Sequence, residues 1–252
     1  MRQVISESEI QEQLRDYEAK LRASFGIDQP PVQHFSRPVE RPFKANERGK
    51  VTILFGGLTR THDYVLKAAA AGLGYDVVEL PTPDNAALAV GKEFGNRGQC
   101  NPTYYTVGNL VKYLQRLRDE GTVDIEDRFL FVTPGACGPC RFGMYEAEYR
   151  KALTDAGFGR FRVLILQQSG GLAEGGKLGH EEEDDGLQFN APFYLAVVRG
   201  LIASDIINQM AQRIRPYEVE PGATDRALDE AREWLAESFT RQNSVWMTLR
   251  RI

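Results

Sequence analysis

Between residues 51 and 166 the chain alternates short apolar runs with longer amphipathic ones, and this alternation limits the folds open to it. Residues 51–55 (VTILF), 76–80 (DVVEL), 128–132 (RFLFV) and 161–166 (FRVLIL) have strand length and a β-branched or aromatic content. Residues 62–72, 102–119 and 139–156 carry apolar side chains at helical spacing instead. A helix between two strands makes them parallel neighbours and covers a face of their sheet. The expected fold is α/β: a Rossmann-like parallel sheet with flanking helices.

The flanks follow other patterns. Residues 6–25 place Ile10, Leu14, Tyr17, Leu21 and Phe25 on one helical stripe among charges, which predicts a docking helix. Residues 29–48 are rich in proline and charge and read as an extended arm. Residues 192–214 and 225–250 are helical patterns, so a helical C-terminal segment is expected. The resulting division is an N-terminal helix and arm (1–49), a Rossmann-like domain (50–222) and a C-terminal helix (223–252). With 252 residues, 42% of them hydrophobic, the chain can bury a full core. Its net charge of −4 gives no electrostatic reason to expect nucleic acid or an anionic membrane as partner. No uninterrupted apolar run approaches the roughly 20 residues that span a bilayer, and residues 1–20 lack a signal-peptide core. A cytoplasmic, reducing location is expected, where a CxxC pair is metal-binding or redox-active rather than a structural disulfide.

The chain has three cysteines in two related settings. Cys100 opens Cys100-Asn101-Pro102, and Cys137 opens Cys137-Gly138-Pro139-Cys140. In each, a cysteine stands two residues before a proline expected to begin a helix, because proline suits the first helical turn. The free N–H groups and the dipole of a helix start favour a thiolate. The CxxC pair follows the third predicted strand by a short loop, so it lies on the edge where open α/β sheets bind ligands. The connection carrying Cys100 reaches the same edge. Three thiolates there read as a cradle for an iron–sulfur centre, a [4Fe-4S] cluster with one iron left open.

Other readings of the same residues stay open. Cys137-Gly138-Pro139-Cys140 is also a thioredoxin redox motif, and Pro192 before residues 193–198 resembles that fold's later proline-then-strand segment. A zinc site on the three cysteines with His62 or His180 is tetrahedrally feasible. In the segment before Cys100, Gly91, Gly95 and Gly98 would let backbone approach a ligand, while Lys92 and Arg97, with Arg141 beyond the CxxC pair, are candidate partners for cluster charge. Residues 170–176 are glycine-rich but match no nucleotide-binding fingerprint, and the acidic run 181–185 reads as a solvated loop.

The segments Gly98-Gln99-Cys100-Asn101-Pro102, Thr133-Pro134-Gly135-Ala136-Cys137-Gly138-Pro139-Cys140-Arg141-Phe142-Gly143, Tyr145-x-x-Glu148 and Arg215-Pro216-Tyr217-Glu218 occur in that order. Together they resemble the 2-hydroxyacyl-CoA dehydratase and benzoyl-CoA reductase superfamily, closest to its activase-related branch. The resemblance spans roughly residues 50–222. It implies Rossmann-like lobes that hold a low-potential cluster on Cys100, Cys137 and Cys140. It also implies an electron donor, an ATP-dependent activase of the actin/Hsp70-like fold, and a second cluster-bearing subunit or a homodimer. The chain has no ATPase signature of its own.

Overall fold

The computed structural model describes residues 7–26, 41–135, 140–166, 186–187 and 190–241. The chain divides into two compact units, Met1–Pro38 and Val39–Ile252, rather than at the expected boundaries 49 and 222. Phe43 is why the second unit starts early: it is 4% exposed, packed with Val51, Ile53 and Tyr75. The C-terminal helix belongs to this unit because Leu228 and Leu235 share a core cluster with Val65 and Ile207. In the first unit the predicted helix is present as α1, Glu7–Ser24, with an Arg22–Glu18 ion pair one turn apart.

Within the second unit all four predicted strands form. They are β1 (Thr52–Phe55), β2 (Val77–Glu79), β3 (Phe129–Pro134) and β4 (Arg162–Leu166). They pair in parallel in the order β2-β1-β3-β4. The protein is therefore α/β with a Rossmann-like sheet. From β1 the order runs one way to β2 and the other way to β3. The C-terminal ends of β1 and β3 consequently flank the switch point where such sheets form their ligand crevice.

Strand alternation assigns the two faces. Leu54, Phe131 and Val163 point to the helices Asn101–Asp119 (α4) and Tyr145–Asp155 (α6), sharing a cluster with Leu110, Leu114 and Leu153. Ile53, Leu130 and Val77 point to the opposite face, with Ala70 and Leu73 on or just after α2 (Arg60–Gly72). Behind α2 lie α7 (Ala191–Ile214) and α8 (Ala223–Thr240). A short helix, α5 (Ile125–Arg128), leads directly into β3.

The connection before Cys100 contains a helix the sequence pattern hid. Asp84 caps it, its side chain accepting from the Ala87 amide at 2.8 Å, and α3 runs Asn85–Phe94. Pro81, Pro83 and the glycines give this stretch a loop-like composition. Gly91 approaches no ligand here but the neighbouring helix, since a Cβ on it would lie 1.9 Å from the Tyr104 carbonyl oxygen of α4. A Cβ on Gly108 would lie 1.9 Å from the Ala87 carbonyl oxygen. Two facing glycines thus let the α3 and α4 backbones touch.

Two further expectations need correction, and one rival reading falls while the helix expected over 192–214 is present as α7. Pro102 is the second helical residue, with Cys100 as the N-cap. The helix expected from residue 139 begins only at Tyr145, after a 3-10 turn over Arg141–Met144 capped by Cys140. Residues 193–198 are helical within α7, not a strand, because Asn190 caps the helix at the Phe193 amide (3.1 Å) and Pro192 suits its first turn. The comparison with a thioredoxin's proline-then-strand segment is lost with them.

By length and composition α7 is apolar enough to cross a membrane, alone among the described helices. Arg199 and Asp205 interrupt its apolar stretch. Its inner side packs through Gly200, Ser204, Ile207 and Ala211, and Asp205 receives a hydrogen bond from α2. Residues 167–185 and 242–252 lie outside the described residues, and with them the glycine-rich loop, the acidic run and His180.

Candidate functional site

Cys100 stands at the start of α4, half-buried, on the edge of the sheet that carries the strands' C-terminal ends. As N-cap its side chain makes no capping hydrogen bond. Its sulfur meets two hydroxyls instead, Thr103 Oγ1 at 3.0 Å and Tyr145 Oη at 3.3 Å. Thr103 lies one turn into α4, and Tyr145 opens α6 just beyond β3. The Thr103 hydroxyl, then the Tyr145 hydroxyl, hold the Cys100 thiol below its ordinary pKa by bonding to the thiolate. The two side-chain hydroxyls act here ahead of the backbone groups of the helix start, which lower the pKa as well.

Tyr145 also links the two cysteine segments. Burial pushes its phenol upward in pKa, and its hydrogen bond to Cys100 adds to the rise. The charges of Cys100 and Cys140 act in the same direction, so the hydroxyl keeps its proton beside the Cys100 sulfur. Cys140 is exposed and, like Cys100, is a free thiol. Its neighbour Arg141 donates from Nη1 to the Gly98 carbonyl oxygen at 2.9 Å, joining the two segments through the backbone. Cys137 lies outside the described residues, which end at Gly135 on this side of the loop.

A buried carboxylate supports the Cys100 segment. Glu148 is 4% exposed and accepts three hydrogen bonds, from the Asn96 amide (3.1 Å), Asn96 Nδ2 (2.8 Å) and Gln99 Nε2 (2.9 Å). Tyr104 closes the same turn, its hydroxyl donating to the Asn96 carbonyl (2.9 Å) and accepting from the Gln99 amide (3.1 Å). Lys151 donates to the Phe94 carbonyl at 2.9 Å. The segment 94–100 is therefore held at almost every residue.

The cations named from sequence fare differently. Arg141 is engaged with the cysteine-bearing backbone. Lys92 is exposed in the last turn of α3, and Arg97 is exposed in the turn before α4. His62 sits on the other helical layer, with Thr59 Oγ1 at 2.7 Å from Nδ1 and Asp205 Oδ1 at 3.0 Å from Nε2. Nδ1 serves the N-cap of α2 and Nε2 the α2–α7 contact, so both ring nitrogens of His62 are engaged away from the cysteines. Among the described residues no three His, Cys, Asp or Glu side chains form a metal-sized group.

Sequence reasoning missed Thr103, Tyr104 and Glu148. The readable signal was the Tyr145-x-x-Glu148 spacing, which puts both side chains on one helix face. It also missed Asp63, 7% exposed, whose carboxyl accepts from the Gly57 and Leu58 amides (3.3 and 3.4 Å) at the end of β1. Burial holds that carboxyl above the ordinary aspartate range, against the pull of the two amides. No family model, no curated protein and no solved structure matches this chain.

Proposed function

We propose that this chain is an iron–sulfur redox component in which Cys100, Cys137 and Cys140 hold a [4Fe-4S] cluster. In this reading it accepts a low-potential electron from an ATP-dependent activator of the actin/Hsp70-like fold. One observation carries the proposal: two hydroxyls meet the Cys100 sulfur, and one of them, on Tyr145, opens the helix that follows Cys140 and its 3-10 turn. Thiolates are the donors that iron–sulfur clusters require, and such a cluster supplies one-electron chemistry at a potential set by surrounding hydrogen bonds and charge. Thr103 and Tyr145 donate to the Cys100 sulfur, and Arg141 fixes the backbone that carries it. Three sulfur ligands leave one position for water, substrate or a partner's side chain.

The test is anaerobic purification. Brown protein with iron and sulfide in near-equal amounts is expected, and Cys100→Ala, Cys137→Ala or Cys140→Ala should each lower both. Colourless protein with stoichiometric zinc would replace the redox reading by a structural one. Disulfide reductase activity that survives Cys100→Ala and metal removal would assign the function to the CxxC pair alone.

A further inference from the structure

The helix after the CxxC segment grips the segment that carries Cys100. Three side chains of residues 141–151 reach across to it. Arg141 reaches the Gly98 carbonyl, Glu148 reaches Asn96 and Gln99, and Lys151 reaches the Phe94 carbonyl. Glu148 lies one turn beyond Tyr145, so one face of α6 meets both the Cys100 sulfur and the backbone leading to it. These contacts join residues 43 to 57 apart in the chain.

We propose that Glu148 is a positioning residue for the metal centre, holding the 94–100 segment so that Cys100 stays against Tyr145 at the start of α6. All three groups that meet its carboxylate are N–H donors, to both oxygens. A buried carboxylate is tolerated only when such donors replace its water. Carboxylate and segment therefore fix each other: without the donors the buried acid would be stranded, and without the acid the segment would lose three of its tethers. Tyr104 ties the same turn from the α4 side, and Gly91 and Gly108 bring α3 and α4 close enough for both to act. The role in metal binding rests on the proposed thiolate centre; the grip on the segment does not.

Glu148→Gln tests this, because it keeps the size of the side chain but turns one acceptor into a donor facing donors. Glu148→Asp, which keeps the charge on a shorter stem, is the conservative partner. In metal-free protein, amide hydrogen exchange over residues 94–100 should quicken about tenfold in Glu148→Gln, which corresponds to about 1.4 kcal/mol of lost protection. Exchange in β1 and β3 should be unchanged. Cobalt(II) added to the same protein should give a thiolate charge-transfer band. In Glu148→Gln that band should fall to the level seen with Cys100→Ala, and in Glu148→Asp it should partly recover. Faster exchange with a wild-type band would make Glu148 a local brace and overturn the positioning role. Unchanged exchange would overturn the grip itself. A wild-type protein without any thiolate band would defeat the metal-centre reading, leaving the exchange data to decide whether Glu148 holds the segment.

Discussion

The two helical layers of the sheet are finished differently. On the α3, α4 and α6 side, helices meet backbone to backbone at Gly91 and Gly108, and the polar groups near the sheet edge are matched to one another around Glu148 and Cys100. On the α2, α7 and α8 side the inner contacts are as well buried, with Val65 and Leu235 at 0% exposure. Yet the outer face of α7 shows Leu195, Val198, Ile202 and Ile206 at 40–54% exposure. One layer has its sheet edge fixed by buried polar contacts; the other provides bulk, and its outer surface is under weaker constraint. Stability and site geometry should therefore respond to substitution on the first side far more than on the outer face of the second.

The largest expected effect is at the glycine contact. Gly91→Val would press side-chain carbons into the Tyr104 carbonyl, forcing α3 from α4, and should cost roughly 3 kcal/mol of stability in urea unfolding. An unchanged midpoint would mean that the helices are not in backbone contact. Tyr145→Phe should be milder. It removes one hydroxyl from the Cys100 sulfur and should lower stability by about 1 kcal/mol. It should also move the pH midpoint of Cys100 alkylation upward toward that of an ordinary thiol. An unmoved midpoint would show that the hydroxyl does not act on the thiolate.

Asp63 separates the layers by pH. Its carboxyl is raised by burial, so the folded protein binds that proton more tightly than the unfolded chain does. Its contribution to folding is present below the unfolded value of about 4 and is lost as pH rises through the folded value. Asp63→Asn should flatten this part of the stability curve, measured by thermal melts from acid to neutral pH. A curve of unchanged slope would count against the raised carboxyl. The smallest effect is expected on α7, where Ile202→Ser, at a site 54% exposed, should change stability by no more than about 0.5 kcal/mol. A loss several times larger would mean that this face is covered in the folded protein.

Much of the architecture was legible in the chain. The four strands appear where the apolar runs predicted them, and α4 starts one residue from its predicted position because Pro102 marks a first helical turn. Such features are encoded within about ten neighbouring residues, by side-chain period and by what proline permits. The parallel order follows from the helices between the strands. α3 escaped notice for a related reason: the glycines that suit its contact with α4 are the residues that make a stretch look like a loop.

The surroundings of Cys100 were settled elsewhere. The cysteine was visible as a thiol before a helix, but nothing near it in sequence announces Tyr145 or Glu148, 45 residues from Cys100 and 52 from Asn96. Which side chains meet across that distance depends on how α4 and α6 lie on one face of the sheet, and so on shape and packing summed over the whole layer. Local sequence determined that a thiol would stand at the sheet edge; tertiary packing decided that two hydroxyls would bond to it and that a buried carboxylate would hold its loop.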